Sequence, residues 1–143
     1  MRALCRFIDS ASLADHQRGR FASIVEQYDL SVGELYAVLG MGIWETVLQV
    51  LVRNDWGLPV WCPAALFEIE DQPLPDHWRF ALRSDVQASG RDLWTRWVAQ
   101  WGYPELIVDE RHSDALMERD AAALEIFSRE IERFGASEAE GEA

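Results

Sequence analysis

The sequence contains no lysine: its 13 basic residues other than histidine are all arginine. That absence excludes a P-loop phosphate lysine, a pyridoxal-phosphate lysine and Schiff-base chemistry. Asn54 is the single asparagine. Arginine and alanine use GC-rich codons and lysine and asparagine AT-rich ones, so a GC-rich genome, bacterial by expectation, is the simple explanation. Cysteine is limited to Cys5 and Cys62, too few for a disulfide framework. His16, His77 and His112 lie in three separate segments, and no HxxxH, HExxH or CxxC spacing brings metal ligands together. Two core thiols and three surface histidines are expected, with no metal and no cofactor. Cys62 has apolar flanks, which raise a thiol pKa, so a nucleophilic role is not expected. A GxSxG elbow is missing, and Gly40-Met41-Gly42 lacks the third glycine of a dinucleotide fingerprint. Apolar runs are short, as at residues 50–52 and 64–67, far below a membrane span. Arg6 and Asp9 interrupt the N-terminus before a signal-peptide length is reached. A cytoplasmic protein is the expectation.

What is present is acid. The formal net charge is −12, from 25 carboxylates against 13 arginines. Such a chain repels nucleic acid and anionic membrane surfaces and attracts basic proteins. Its 143 residues, 49% of them hydrophobic, suit one domain with a real core. The expected domain spans residues 1–134, and residues 135–143, composed only of Ala, Gly, Ser and Glu, read as a frayed acidic tail.

Local patterns predict an α+β fold: an antiparallel sheet of short strands packed with an N-terminal helix and one or two C-terminal helices. Residues 3–8 alternate as a strand, and Ser12 opens a helix over about residues 13–28. Residues 34–53 fit either periodicity, but their Val, Ile, Thr, Tyr and Trp content favours strands. Gly40-Met41-Gly42 would then be a hairpin turn, although Ser31-Val32-Gly33-Glu34 could instead open a helix. Asn54-Asp55-Trp56-Gly57 reads as a turn. Short strands are expected at residues 66–70 and 78–82, and a polar loop at 84–91. Residues 92–101 fit helix or strand. From Ser113 onward Leu116, Leu124, Phe127, Ile131 and Phe134 recur at helical intervals, with Asp120 a candidate cap.

Two features point to a partner surface. Glu68 and Glu70, on one face of a strand, are followed by Asp71 and, past two prolines, Asp76. Such carboxylates fit a docking patch, a solvated edge or a small carboxylate-dependent hydrolase. Of seven tryptophans, Trp56 and Trp61 flank a Pro/Gly loop beside Asp55, a setting in which tryptophan anchors interfaces. The other tryptophans are expected in the core.

The stretch Leu35-Tyr36-Ala37-Val38-Leu39-Gly40, with Pro63-Ala64-Ala65-Leu66-Phe67-Glu68-Ile69-Glu70-Asp71 and Leu74-Pro75-Asp76-His77-Trp78-Arg79-Phe80, resembles small acidic immunity proteins of bacterial polymorphic toxin systems. The resemblance implies one-to-one inhibition of a basic cognate toxin, by a monomer or weak homodimer, without a catalytic residue. Partner-binding candidates are Asp55, Trp56, Trp61, Glu68, Glu70, Asp71 and Asp76. The competing readings are the hydrolase and an adaptor or structural subunit.

Overall fold

A computed structural model describes residues 1–6, 28–83 and 97–141. Among the described residues eight strands run in the order β1 (Arg2–Cys5), β2 (Leu35–Ala37), β3 (Gly40–Trp44), β4 (Val47–Arg53), β5 (Pro59–Pro63), β6 (Phe67–Ile69), β7 (Arg79–Leu82) and β8 (Trp97–Gly102). Three helices follow: α1 (Pro104–Val108), α2 (His112–Met117) and α3 (Ala121–Gly141). The chain is α+β, with every strand pairing antiparallel. The strands form two sheets, β2-β1-β6 and β5-β4-β3-β8-β7. The expected helix over 13–28 and the loop at 84–91 lie outside the described residues, apart from Tyr28, which is buried. No helix among the described residues is long and apolar enough to cross a membrane.

The five-stranded sheet forms the middle layer. Val50, Val52 and Cys62 pack from one face against Ala3, Cys5 and Phe67 of the three-stranded sheet. From the other face Leu51 packs with Leu106, Ile107, Leu116 and Phe127 of the helices. Both faces of β4 are therefore covered, and Gln49, Val50, Leu51 and Val52 are all buried. Both cysteines are buried, and burial pushes the Cys62 thiol well up, as its apolar flanks imply.

Gly40-Met41-Gly42 is not a turn. It lies inside β3, and the reversal falls at Glu45-Thr46, between the paired Trp44 and Val47. Glu45, at φ 55°, supplies the left-handed residue of that turn. The glycines serve packing instead. A Cβ on Gly40 or Gly102 would stand 2.6 Å from Leu106 Cδ2, and one on Gly42 would stand 2.6 Å from the Trp97 ring. Bare backbone at these positions lets α1 and Trp97 lie directly on the sheet.

Three helices follow the last strand where one or two were expected, because the five-residue α1, started by Pro104, is too short to show a period. Arg119, at φ 63°, ends α2, and Asp120 Oδ2 accepts from the Ala123 N–H at 3.0 Å, the expected cap. The helix α3 continues to Gly141, so residues 135–141 are helical rather than frayed. Glu138, within that extension, pairs with Arg2 at 3.1 Å.

Candidate partner-binding surface

The turn after β4 is locked by its own side chains. Asn54 Oδ1 accepts from the backbone N–H groups of Trp56 and Leu58, both at 3.0 Å, and Asn54 N–H donates to Leu58 O at 2.8 Å. Gly57 takes φ 77°, a conformation that favours glycine. Asp55 fastens the turn to the strand β2 and the segment before it. Its Oδ1 accepts the Tyr36 hydroxyl and its Oδ2 the Ser31 hydroxyl, each at 2.6 Å. Its N–H donates to Asp29 O at 3.0 Å. The bonds from Ser31 and then Tyr36 hold the Asp55 carboxyl below its ordinary range, so it stays ionised. Burial first, and the bond to Asp55 second, push the Tyr36 phenol up to about 12. The result is a rigid turn that presents Trp56 with 74% of its surface exposed. Val32 and Leu35, also exposed, adjoin it in sequence at Ser31 and Tyr36.

The acidic stretch lies across the three-stranded sheet. In register, Leu35 of β2 faces Leu4 of β1, and Leu4 faces Glu68 of β6. Leu35 and Glu68 therefore stand on one outward face, about 10 Å apart at two strand spacings. Glu68 and Glu70 line a shallow depression there of about 110 Å³ with Arg2, Leu4, Leu35 and Gln72. Glu68 pairs with Arg6 at 3.5 Å, with both side chains mostly in solvent. Glu70, Asp71 and Asp76 are exposed and form no ion pair among the described residues. Tyr36, which holds Asp55, meets Phe67 edge-on at 6.2 Å, linking the turn to the strand that carries Glu68.

Trp61 departs from this surface. It is half-buried, its ring 4.5 Å from that of Trp97, and its Nε1–H donates to Ser113 Oγ at 2.8 Å. It packs β5 against α2 and is not a surface anchor. His112 is also not a surface residue: it is buried, and its Nε2 meets the Tyr103 hydroxyl at 2.5 Å. Burial lowers its pKa, partly offset by Asp109 and Glu105. Arg83 is buried as well, bonded to Gln100 Oε1 at 3.0 Å and Ile107 O at 2.7 Å. These groups tie helices to the sheet.

One feature was missed in the sequence. A cleft of about 660 Å³ opens between α3, the 72–78 segment and the start of β1. In it His77 Nε2 bonds Glu130 Oε2 at 3.0 Å. The two residues are 53 apart in the chain, and no spacing rule reaches that far. Asp76 is on the cleft's wall, so it belongs to this site more than to the β6 edge. Among the described residues no three His, Cys, Asp or Glu side chains are grouped to hold a metal.

Comparison with known proteins finds no matching family model, no similar curated protein and no similar solved structure.

Proposed function

We propose that the chain binds a basic protein partner and neutralises it, in the manner of the small immunity proteins its middle segments resemble. The observation that carries this reading is the Asp55–Trp56 turn. A tryptophan with 74% of its surface in water is carried on a turn whose backbone and flanking Asn54 and Asp55 side chains are hydrogen-bonded, beside a carboxylate that stays ionised. Exposed aromatics on preorganised loops form the desolvated centres of interfaces, because little conformational entropy remains to be lost on binding.

Charge supports the same reading. Glu68 and Glu70 line the depression beside Leu4 and Leu35, and Asp71, next in sequence, is exposed, in a protein with net charge −12. Such a field steers a cationic partner and fixes its orientation. The open, shallow setting of Glu68 and Glu70 suits docking rather than hydrolysis, which works best where carboxylates are shielded from water. Trp56 and Asp55 would make one contact at the turn, and the exposed Glu68, Glu70 and Asp71 would make a second, electrostatic one.

The test is Trp56→Ala, since the side chain touches little of its own fold. Once the partner is captured, this variant should bind at least ~30-fold more weakly, the loss of a hot-spot residue of about 2 kcal/mol, while unfolding at the wild-type temperature. Wild-type affinity in that variant would refute the turn as the contact centre.

A further inference from the structure

The cleft between α3 and the 72–78 segment has the chemistry of a cation site. Its walls include Leu39, Trp78 and Phe134. Its charged groups are the carboxylates of Asp76, Glu130 and Glu138 and the guanidinium groups of Arg2 and Arg133. Glu130 is the least exposed of these charged groups. The Arg133 side chain is 59% exposed and lies at the rim, whereas Glu130 is only 12% exposed. The deepest charge is therefore negative. Arg2 is already paired with Glu138 at 3.1 Å. Glu130 uses Oε2 for His77 at 3.0 Å, but among the described residues its Oε1 has only Arg133 Nη1, at 3.6 Å, beyond hydrogen-bond length. A largely buried carboxylate with one oxygen under-used, beside aromatic walls, matches the planar fork of a guanidinium, which bonds carboxylates and stacks on rings at once.

We infer that this cleft receives an arginine side chain of the basic partner, its guanidinium bonded to Glu130 and its stem against Trp78 and Phe134. The inference rests on the proposed partner binding and gives it a second, deeper contact than the Trp56 turn. The volume falls within the range of sites that enclose small ligands, and so accommodates the arginine together with neighbouring backbone. His77 acts as a positioning residue: with its proton on Nε2 it donates to Glu130 and fixes the carboxylate for the incoming fork.

The probe is the capped tripeptide acetyl-Gly-Arg-Gly-amide, with its lysine and glutamine counterparts as controls. It is titrated into the full chain while the His77 imidazole nitrogens are followed by NMR. The arginine peptide should shift His77 saturably, the lysine peptide should bind several-fold more weakly, and the glutamine peptide should not saturate. Glu130→Gln should weaken the arginine peptide at least ~10-fold, as expected for loss of a charge-assisted pair. If Glu130→Gln does not give the wild-type helical spectrum, the exposed Asp76→Asn decides instead, with about 3-fold weakening expected from removal of one neighbouring charge. No saturable shift of His77, or equal binding by wild type and the folded variant, overturns the inference. The two readings fail separately. A captured basic partner that ignores Glu130→Gln but needs Trp56 removes the cleft claim alone. Arginine-peptide binding without any basic protein partner sustains the cleft and removes the neutralising function.

Discussion

Asp55 is where stability and the proposed surface meet, because one carboxylate accepts both the Tyr36 and the Ser31 hydroxyls. Tyr36→Phe removes one of these bonds together with the one its hydroxyl accepts from the Ser31 N–H, and should cost about 1–2 kcal/mol, read by urea unfolding at neutral pH. The contribution of Asp55 has a definite sign with pH. Its folded pKa is depressed, so its stabilisation is complete above the unfolded value and disappears as pH falls through the folded one. The stability gap between wild type and Asp55→Asn should therefore be full at neutral pH and close below about pH 4. His112 has the opposite charge type. Its pKa is lowered by burial, so folding disfavours its protonation, and stability should decline as pH drops below the ordinary histidine value of 6.5. An NMR titration should show its imidazole titrating below that value. The Asn-Asp-Trp-Gly turn was legible in the sequence because Gly57 and Asn54 carry their turn chemistry with them. The inward rotation of Trp61 was not, since it depends on Trp97 and Ser113, both distant in the chain.

At the scale of elements, the glycines of β3 and β8 define how closely helix and sheet approach. Gly40→Ala and Gly102→Ala would each drive a methyl into Leu106 and should destabilise by about 1–3 kcal/mol, as overpacking does. Gly135 is the contrast: it lies in α3 with nothing within 4 Å of a built Cβ. Gly135→Ala should therefore stabilise by about 0.5–1 kcal/mol through helix propensity. Denaturant midpoints with unchanged slopes would show both effects. The same packing explains which elements could be read in advance. Strands β1 and β6 alternate, and α3 repeats Phe127, Ile131 and Phe134 toward the sheet, so each shows its period. In β4 both faces are buried, and in β8 Ala99 and Gln100 are buried side by side, so a period of two is hidden. The glycine pair in β3 looked like a turn because the packing partners, Leu106 for Gly40 and Trp97 for Gly42, are far away in sequence. Helix α3 outran its expected end because alanine and glutamate, poor at burial, are good helix formers.

At the scale of the whole molecule, the described residues form three layers, and the proposed contact uses the three-stranded sheet and the Asp55–Trp56 turn. The net charge of −12 was evident from composition, but its distribution was not. Register places Glu68 across the sheet from Leu35, while Tyr36 links β2 to the Asp55 turn 19 residues away, a grouping that only the fold creates. A contact of this kind is electrostatic at its margin and aromatic at its centre, so it should weaken as salt rises without vanishing through loss of fold. The most direct measurement is affinity capture of the partner from the native host, quantified at low and moderate salt, for wild type beside Glu68→Lys/Glu70→Lys/Asp71→Lys. The account predicts one stoichiometric basic protein on the wild type, diminished by salt and lost from the folded triple variant. Capture of no basic protein, or equal capture by both chains at either salt, would contradict it.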